Sequence, residues 1–224
     1  MNRILIAVKS CFADRDGGFH DPIRKTWAKN SSVNLNVLFF MGAPVDYPIA
    51  EYDEVYINAP DDYHGLPFKT KAILKWFLDT DYDYIFLCDT DSYVMLPKLT
   101  ACGFENYDYM GVNTWPWGET RAYDAPNRDG VVTHIPKCYG WASGGFGYFL
   151  SRKAAEIVAK EMPQIWAEDM FVGQVLGPLI KKGEIRVGNL RQGDVAYHYT
   201  RTQAEWSYRP ELKWMEQMHA RYGQ

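Results

Sequence analysis

The chain has 224 residues, of which 47% are hydrophobic, so it can bury a substantial core and is not a disordered segment. Its 24 Lys and Arg residues against 28 Asp and Glu residues give a net charge of −4, without a long run of either sign. This balance argues against a nucleic-acid partner. The apolar stretches are far shorter than the ~20 residues that span a bilayer, so we expect no membrane segment and a cytoplasmic protein.

The four cysteines of the sequence are widely spaced and contain no Cys-x-x-Cys pair. Zinc knuckles and disulfide scaffolds both need closer or more numerous cysteines. We therefore expect reduced thiols.

Strands and helices alternate in the first half of the sequence. Apolar runs predict strands over residues 3–9, 36–41, 54–57 and 82–88. The spacing of Ile73, Trp76 and Phe77 predicts a helix over residues 65–78. Asp21-Pro22 predicts the start of an earlier helix, with Asp as the cap and Pro at the first helical position. The segment 10–20 between the first strand and that helix is predicted to be a ligand-binding loop.

The second half is less regular. A strand is predicted over 108–112 and another over 184–187, with helices over 151–161, 168–180 and 210–222. Residues 113–137 have no periodicity and are too many for an ordinary connection, which predicts a mobile lid or substrate loop. The pattern as a whole predicts one α/β domain with a mostly parallel sheet flanked by helices, whose ligands bind at the carboxyl ends of the strands.

Two carboxylates, Asp89 and Asp91, follow the apolar strand that ends at Cys88. Because side chains alternate along extended chain, both carboxylates point the same way. Oxygen ligands of this kind suit Mg²⁺ or Mn²⁺ that also holds a diphosphate. A turn in which Asp caps backbone amides would show the same residues, and Asp-x-Asp is common by chance.

Two chemistries place this motif after an apolar strand. One is transfer from nucleotide sugars, and the other is phosphate hydrolysis by the haloacid dehalogenase type, in which the first Asp is a nucleophile. The phosphatase motif normally follows the first strand, whereas three predicted strands precede the strand that ends at Cys88. The order of the strands therefore favours the transferase.

The sequence resembles the Fringe-like β-1,3-glycosyltransferases, glycosyltransferase family 31, over residues 3 to about 198. Departures from the family pattern are Gly65 and Pro67, which replace Asn and Thr, and Thr90, which replaces the middle Asp of a triple-Asp motif. The matching blocks, in chain order, are Ile4 to Ser10, Ile23-Arg24-Lys25-Thr26-Trp27, Asp61 to Thr70, Asp89-Thr90-Asp91, Ser143-Gly144-Gly145 with Tyr148 to Arg152, and Glu168 to Gly173.

This resemblance implies the GT-A fold and an inverting reaction with a UDP-sugar donor and Mn²⁺ or Mg²⁺. It implies that Asp91 binds the ion, that Asp89 lies near the ribose or the metal's waters, and that His198 is a late metal ligand. Asp169 matches the proposed catalytic base. Each residue also has a purely structural alternative. The His198 imidazole would be hydrogen-bonded to the backbone, and Asp169 would be an acid that complements the dipole at the start of a helix.

The remaining donor contacts are expected around the strand ends and the glycine pair. Lys69 and Arg24 are expected either to contact phosphate or to be solvated charges on helices. Gly144-Gly145 would either let the backbone approach the donor sugar closely or form a tight turn. Three indoles, Trp115, Trp117 and Trp141, would stack on the acceptor or be part of a core. The residues expected at the nucleotide-sugar site are Val8, Lys9, Ser10, Arg24, Lys69, Asp89, Thr90, Asp91, Gly144 and Gly145.

The sequence thus predicts a metal-dependent hexosyltransferase acting on a glycan or glycoprotein acceptor. The catalytic domain is predicted over residues 1–205, and residues 206–224 are predicted to be a helical extension that leads to a further domain. The alternative to an enzyme is a non-catalytic sugar-binding module of the same fold. Family members commonly lie in the Golgi behind an amino-terminal anchor, which is the alternative to a cytoplasmic location.

Overall fold

A computed structural model describes residues 2–43, 51–113, 121–126, 129–137, 139–199 and 210–223. The described residues form eleven strands: β1 (Ile4–Lys9), β2 (Leu35–Gly42), β3 (Glu54–Ile57), β4 (Tyr84–Asp89), β5 (Ser92–Val94), β6 (Tyr109–Val112), β7 (Tyr123–Pro126), β8 (Val132–Ile135), β9 (Tyr148–Ser151), β10 (Val187–Leu190) and β11 (Ala196–His198). They also form seven α-helices: α1 (Phe12–Asp16), α2 (His20–Lys25), α3 (Leu66–Leu78), α4 (Leu96–Ala101), α5 (Arg152–Lys160), α6 (Glu168–Lys181) and α7 (Pro210–Tyr222).

Seven strands form the central sheet in the order β10-β6-β9-β4-β1-β2-β3. The neighbours of β1 on both sides are parallel to it, whereas β9 runs antiparallel between β4 and β6. This arrangement confirms the predicted mostly parallel sheet. In the β1–β4 register Lys9 lies opposite Asp89, so the two strands end level with each other.

Alternation along β1 explains why helices cover both faces of the sheet. Ile4, Ile6 and Val8 belong to a buried cluster that includes residues of α2, α4 and α7. Leu5 and Ala7 belong to a second buried cluster that includes residues of α3, α5 and α6. A parallel strand buried on both faces is apolar at every position, as this strand is before Lys9. Among the described residues, no helix has both the length and the hydropathy to cross a bilayer.

Several boundaries differ from those predicted. The helix expected to begin after an Asp21 cap begins instead at His20, with Asp21 inside its first turn. The strand expected over 184–187 lies later, at β10, because Glu184 and Ile185 close the turn after α6 through hydrogen bonds to Leu179. Helix α1 lies inside the segment expected to be a loop.

The segment 113–137, predicted to be irregular, contains an antiparallel hairpin of β7 and β8. Its side chains are mostly exposed, so the alternating apolar pattern that reveals a strand is missing from the sequence. Two further short strands, β5 and β11, pair with each other. Helix α7 matches its predicted range and contributes Met215 and Met218 to the first cluster.

The Ser151-Arg152 pair connects two helices. The Ser151 hydroxyl caps α5 by accepting a hydrogen bond from the Ala154 amide. The Arg152 guanidinium donates to the carbonyls of Leu78, Thr80 and Tyr82 at distances of 2.6, 2.9 and 2.8 Å. These carbonyls follow the end of α3, where no intrahelical donor is available. One side chain therefore satisfies the carboxyl end of α3 and fixes it to α5.

We predict that Arg152→Met lowers the free energy of unfolding by about 2 kcal/mol, because carbonyls that lose a charged donor are left unsatisfied. Lys160→Met is the matched control, since its pair with Glu156 is exposed and screened by solvent, so its loss should barely change stability. Urea denaturation measures both variants. Equal stability of the two would contradict this role for Arg152.

Candidate active site

A cavity of about 870 Å³ opens at the carboxyl ends of β1 and β4. Its walls come from the loop after β1, the start of α3, the Asp-x-Asp turn, the glycine pair and the start of α6. The position agrees with the rule that ligands of such sheets bind beyond the strand ends. Of the residues expected at the site, the cavity is lined by Lys9, Ser10, Lys69, Asp89, Thr90, Asp91, Gly144, Gly145, Asp169 and His198.

Asp89, Asp91 and His198 form one group of potential metal ligands. Each offers a ligand atom, and these atoms all lie within 4.8 Å of one another. The short β5–β11 ladder brings them together, since it pairs His198 with Ser92, the residue after Asp91. The Ser92 hydroxyl accepts from the Asp89 amide at 3.2 Å and donates to the Gly145 carbonyl at 2.7 Å, which closes the turn.

The donor set of this group fits a divalent cation. Oδ1 of Asp91 is buried and has no hydrogen bond, and Nε2 of His198 lies 3.2 Å from it. Burial alone would lower the pKa of His198, but the Asp91 carboxylate, with help from Asp89, raises it above its usual value. Two carboxylates that attract a proton to a neighbouring imidazole would equally attract a cation, and carboxylate oxygens suit Mg²⁺ and Mn²⁺.

Lys9 connects this group to α6. Its buried ammonium forms an ion pair with Asp89, 3.1 Å away, and another with Glu168. Burial would lower the pKa of Lys9, but the charges of Asp89 and Glu168 raise it well above its usual value, so Lys9 is charged. Glu168 also accepts hydrogen bonds from Tyr148, at 2.7 Å, and from Thr70, at 3.3 Å.

Asp169, the next residue, faces the cavity. Its carboxylate accepts hydrogen bonds from the amides of Gly144, at 3.2 Å, and Met170, at 2.8 Å. Burial and the neighbouring charge of Glu168 raise the pKa of Asp169 to about 6. A carboxyl group with this pKa is a stronger base than an ordinary Asp and is still ionised at neutral pH. The two adjacent acids thus differ: Glu168 is committed to an ion pair, and Asp169 is presented to the cavity.

The glycine pair makes room for side chains of the site. A Cβ on Gly145 would lie 2.7 to 2.8 Å from atoms of the His198 ring. A Cβ on Gly144 would overlap Glu168 and lie 3.0 Å from Nζ of Lys9. Close approach of protein groups is therefore enough to require glycine at both positions, whether or not a donor sugar also approaches this backbone.

Lys69 and Asp61 form a buried support on the opposite wall. The Lys69 ammonium donates to the Ser10 carbonyl and to Asp61, which is 2.9 Å away. Asp61 also accepts from the amides of Phe12 and Gly42, both at 2.7 Å. Asp61 therefore fixes the loop after β1 and the end of β2. The Lys69 ammonium lies at the cavity but is already bound to protein oxygens.

Arg24 and Val8 lie away from the cavity, contrary to the expectation of donor contacts. The Arg24 guanidinium binds the Asp53 carboxylate at 2.6 and 2.9 Å and Glu54 at 3.3 Å, so it fixes α2 to β3. Val8 is fully buried in the first cluster, because its position in β1 points it toward α2. These contacts support a structural role for Arg24 and give no support to the expected phosphate contact.

Of the three indoles expected to contact an acceptor, Trp115 and Trp117 lie outside the described residues. Trp141 is half-buried against a small cluster of Ile135, Ile165 and Met170 and does not line the cavity, so its expected acceptor contact has no support. Thr90 does line the cavity, and its hydroxyl donates to Asp14 of α1 at 2.8 Å.

Three aromatic residues that line the cavity, Tyr63, Trp166 and Tyr199, were missed in the sequence analysis. Tyr63, before α3, and Trp166, before α6, both line it, and their ring centroids are 6.0 Å apart. The Trp166 position was recoverable, because an indole two residues before the Glu168-Asp169 pair must lie near the start of that helix. Tyr63 lies inside a block that resembles the family, where Lys69 was the residue given a functional interpretation.

Comparisons with known proteins agree with this geometry. A family model described as Galactosyltransferase matches residues 20–115, which include the Asp61 block and the Asp-x-Asp motif. This match confirms the resemblance found in the sequence. It supports a glycosyltransferase over the phosphohydrolase alternative.

Solved structures are similar in fold. A glycosyltransferase involved in the glycosylation of the major capsid of PBCV-1 has a TM-score of 0.54 at 13% identity, covering 96% of this chain and 99% of that one. A 4-diphosphocytidyl-2C-methyl-D-erythritol synthase has a TM-score of 0.50 at 9% identity, covering 95% and 99%. The synthase of that name from Anaerococcus prevotii DSM 20548 has a TM-score of 0.50 at 8% identity, covering 96% of each chain. The fold is therefore of the GT-A type.

Proposed function

We propose that this protein is a metal-dependent glycosyltransferase that moves a hexose from a UDP-sugar to a hydroxyl group of a glycan acceptor. The observation that carries the proposal is that one cavity contains both a group of potential metal ligands and a separate carboxyl group, Asp169, whose burial and neighbour Glu168 raise its pKa to about 6. Transfer from a nucleotide sugar needs both functions, because the leaving diphosphate gains negative charge while the attacking hydroxyl loses a proton.

Asp91 and His198, with Asp89, would hold the cation on the diphosphate side of the cavity. A bound Mn²⁺ or Mg²⁺ would act there as a Lewis acid that stabilises the charge of the leaving group. The ion pair of Asp89 with Lys9 holds that carboxylate in place beside Asp91. Lys9 itself adds a fixed positive charge at the same end of the sheet.

Asp169 would accept the proton of the acceptor hydroxyl. The amides of Gly144 and Met170 orient its carboxylate, and its raised pKa suits a base that works near neutral pH. Glu168 is not suited to this role, because its carboxylate is buried and already bound to Lys9, Tyr148 and Thr70. The family resemblance implies attack opposite the leaving group and inversion of the anomeric carbon.

We predict that Asp91→Ala weakens UDP binding at least about tenfold in the presence of Mn²⁺, because the ion that bridges protein and diphosphate loses a charged ligand. Calorimetry with and without EDTA measures this. Asp16→Ala on α1 is the matched control, since Asp16 lies outside the cavity. Equal UDP affinity in wild type, in Asp91→Ala and with EDTA would contradict the metal assignment.

For the proposed base, we predict that Asp169→Asn reduces turnover roughly 100-fold or more without changing UDP-sugar affinity, since the amide cannot accept a proton. In the wild type, turnover should rise with pH through about 6, as Asp169 loses its proton. Transfer rates at saturating substrates, measured from pH 5 to 8, test both statements.

The same variant separates catalysis from a purely structural role. A raised pKa means that the folded protein binds the proton more tightly than the unfolded chain, so ionised Asp169 costs stability as pH rises above its unfolded pKa. Asp169→Asn removes this cost at pH 8 but leaves one oxygen for two backbone amides, so we expect its stability to change by no more than about 1 kcal/mol. A folded variant with wild-type turnover would move the base elsewhere.

A further inference from the structure

We propose that Tyr63 and Trp166 form a platform on which a sugar ring of the acceptor stacks. The proposal rests on the transferase function above and assigns the acceptor side of the same cavity. Both aromatic residues line the cavity, and their planes are tilted by 40° with a centroid separation of 6.0 Å. Pyranose rings have an apolar face of C–H groups, and aromatic faces are suitable surfaces on which to bury it.

The position of Trp166 assigns the platform to the acceptor. Trp166 precedes Asp169 by three residues, so their Cα atoms are at most ~11 Å apart. The base must reach the acceptor hydroxyl directly, so the acceptor sugar has to lie on the Asp169 side of the cavity. The cation-binding group instead belongs to the loops after β4 and at the end of β11. A ring on the platform would thus be beside the base.

The indole of Trp166 is held rigidly. Its Nε1 donates to the Thr133 hydroxyl of β8 at 3.1 Å, and that hydroxyl donates to the Ala125 carbonyl of β7 at 3.2 Å. The side chain also packs against the small cluster of Ile135, Ile165 and Met170. Because the indole is already ordered, an acceptor that stacks on it does not lose affinity to the entropy of fixing this side chain.

The Tyr63 side of the platform is tied to the hairpin by a second contact. His64, the next residue, forms an ion pair with Asp129 in the turn between β7 and β8. Pro126, at the end of β7, also lines the cavity. The hairpin therefore contacts Trp166 directly and Tyr63 only through the neighbouring His64, and Tyr63 is 40% exposed. An exposed aromatic at a cavity rim suits a ligand that extends outward, as a glycan chain does.

The experiment compares Trp166→Ala and Trp166→Phe with wild type. Binding of the methyl glycosides of galactose, glucose, N-acetylglucosamine and rhamnose is followed by saturation-transfer NMR with UDP and Mg²⁺ present. We expect Trp166→Ala to weaken glycoside binding about tenfold, Trp166→Phe to retain most of it, and UDP affinity to stay unchanged. Phe68→Ala is the matched control, because Phe68 is an exposed aromatic on α3 outside the cavity.

Three results would overturn the platform. The first is glycoside binding that Trp166→Ala leaves unchanged. The second is a loss of UDP affinity in Trp166→Ala that parallels the loss of glycoside binding, which would mean that the uracil stacks there. The third is the absence of glycoside binding by the wild type. Hydrolysis of UDP-sugars by water is measured beside these experiments, in wild type and variants. Loss of glycoside binding with unchanged hydrolysis supports the platform, whereas absent hydrolysis in the wild type counts against the transferase function itself.

Discussion

The buried ammonium of Lys9 is the interaction on which the site depends. It lies at the end of β1, opposite Asp89 in the sheet register, and contacts carboxylates from two distant parts of the chain. One belongs to the Asp-x-Asp motif and the other to the first turn of α6. A charge buried this deeply is tolerated only when it is paired, so the protein must bring both carboxylates to it. The proposed cation group and the proposed base are thereby held in one cavity.

Other features of the site follow from that constraint. Gly144 is required because a Cβ at this position would clash with Glu168 and approach Lys9 closely. Gly145 is required because a Cβ there would clash with the His198 ring. The charge of Glu168 offsets Lys9 on one side and contributes to the raised pKa of Asp169 on the other. A glutamate that is already bound to Lys9, Tyr148 and Thr70 therefore gives its neighbour a pKa suited to a general base. The adjacent acids form one electrostatic unit rather than two candidate bases.

Much of this fold could be predicted from the sequence because its central strands are buried on both faces. Apolar runs as in β1 and β4 report such strands directly, and the carboxylates at the end of β4 marked the ligand edge. The β7–β8 hairpin could not be found, because its exposed residues have no apolar alternation. The partners of Arg24 could not be predicted for a related reason: a sequence shows a cation, but the carboxylates of Asp53 and Glu54 come close to it only in the folded chain.

The most direct test of this account is a double-mutant cycle between Lys9 and Glu168, measured as free energies of unfolding at pH 7. Lys9→Met and Glu168→Gln should each lower stability by about 3 kcal/mol, because each disrupts a buried ion pair and leaves its partner's charge less compensated. If the pair is coupled as described, the double variant should lose little more than either single variant. Losses that add to within about 0.5 kcal/mol would contradict the claim that Lys9 and Glu168 act together.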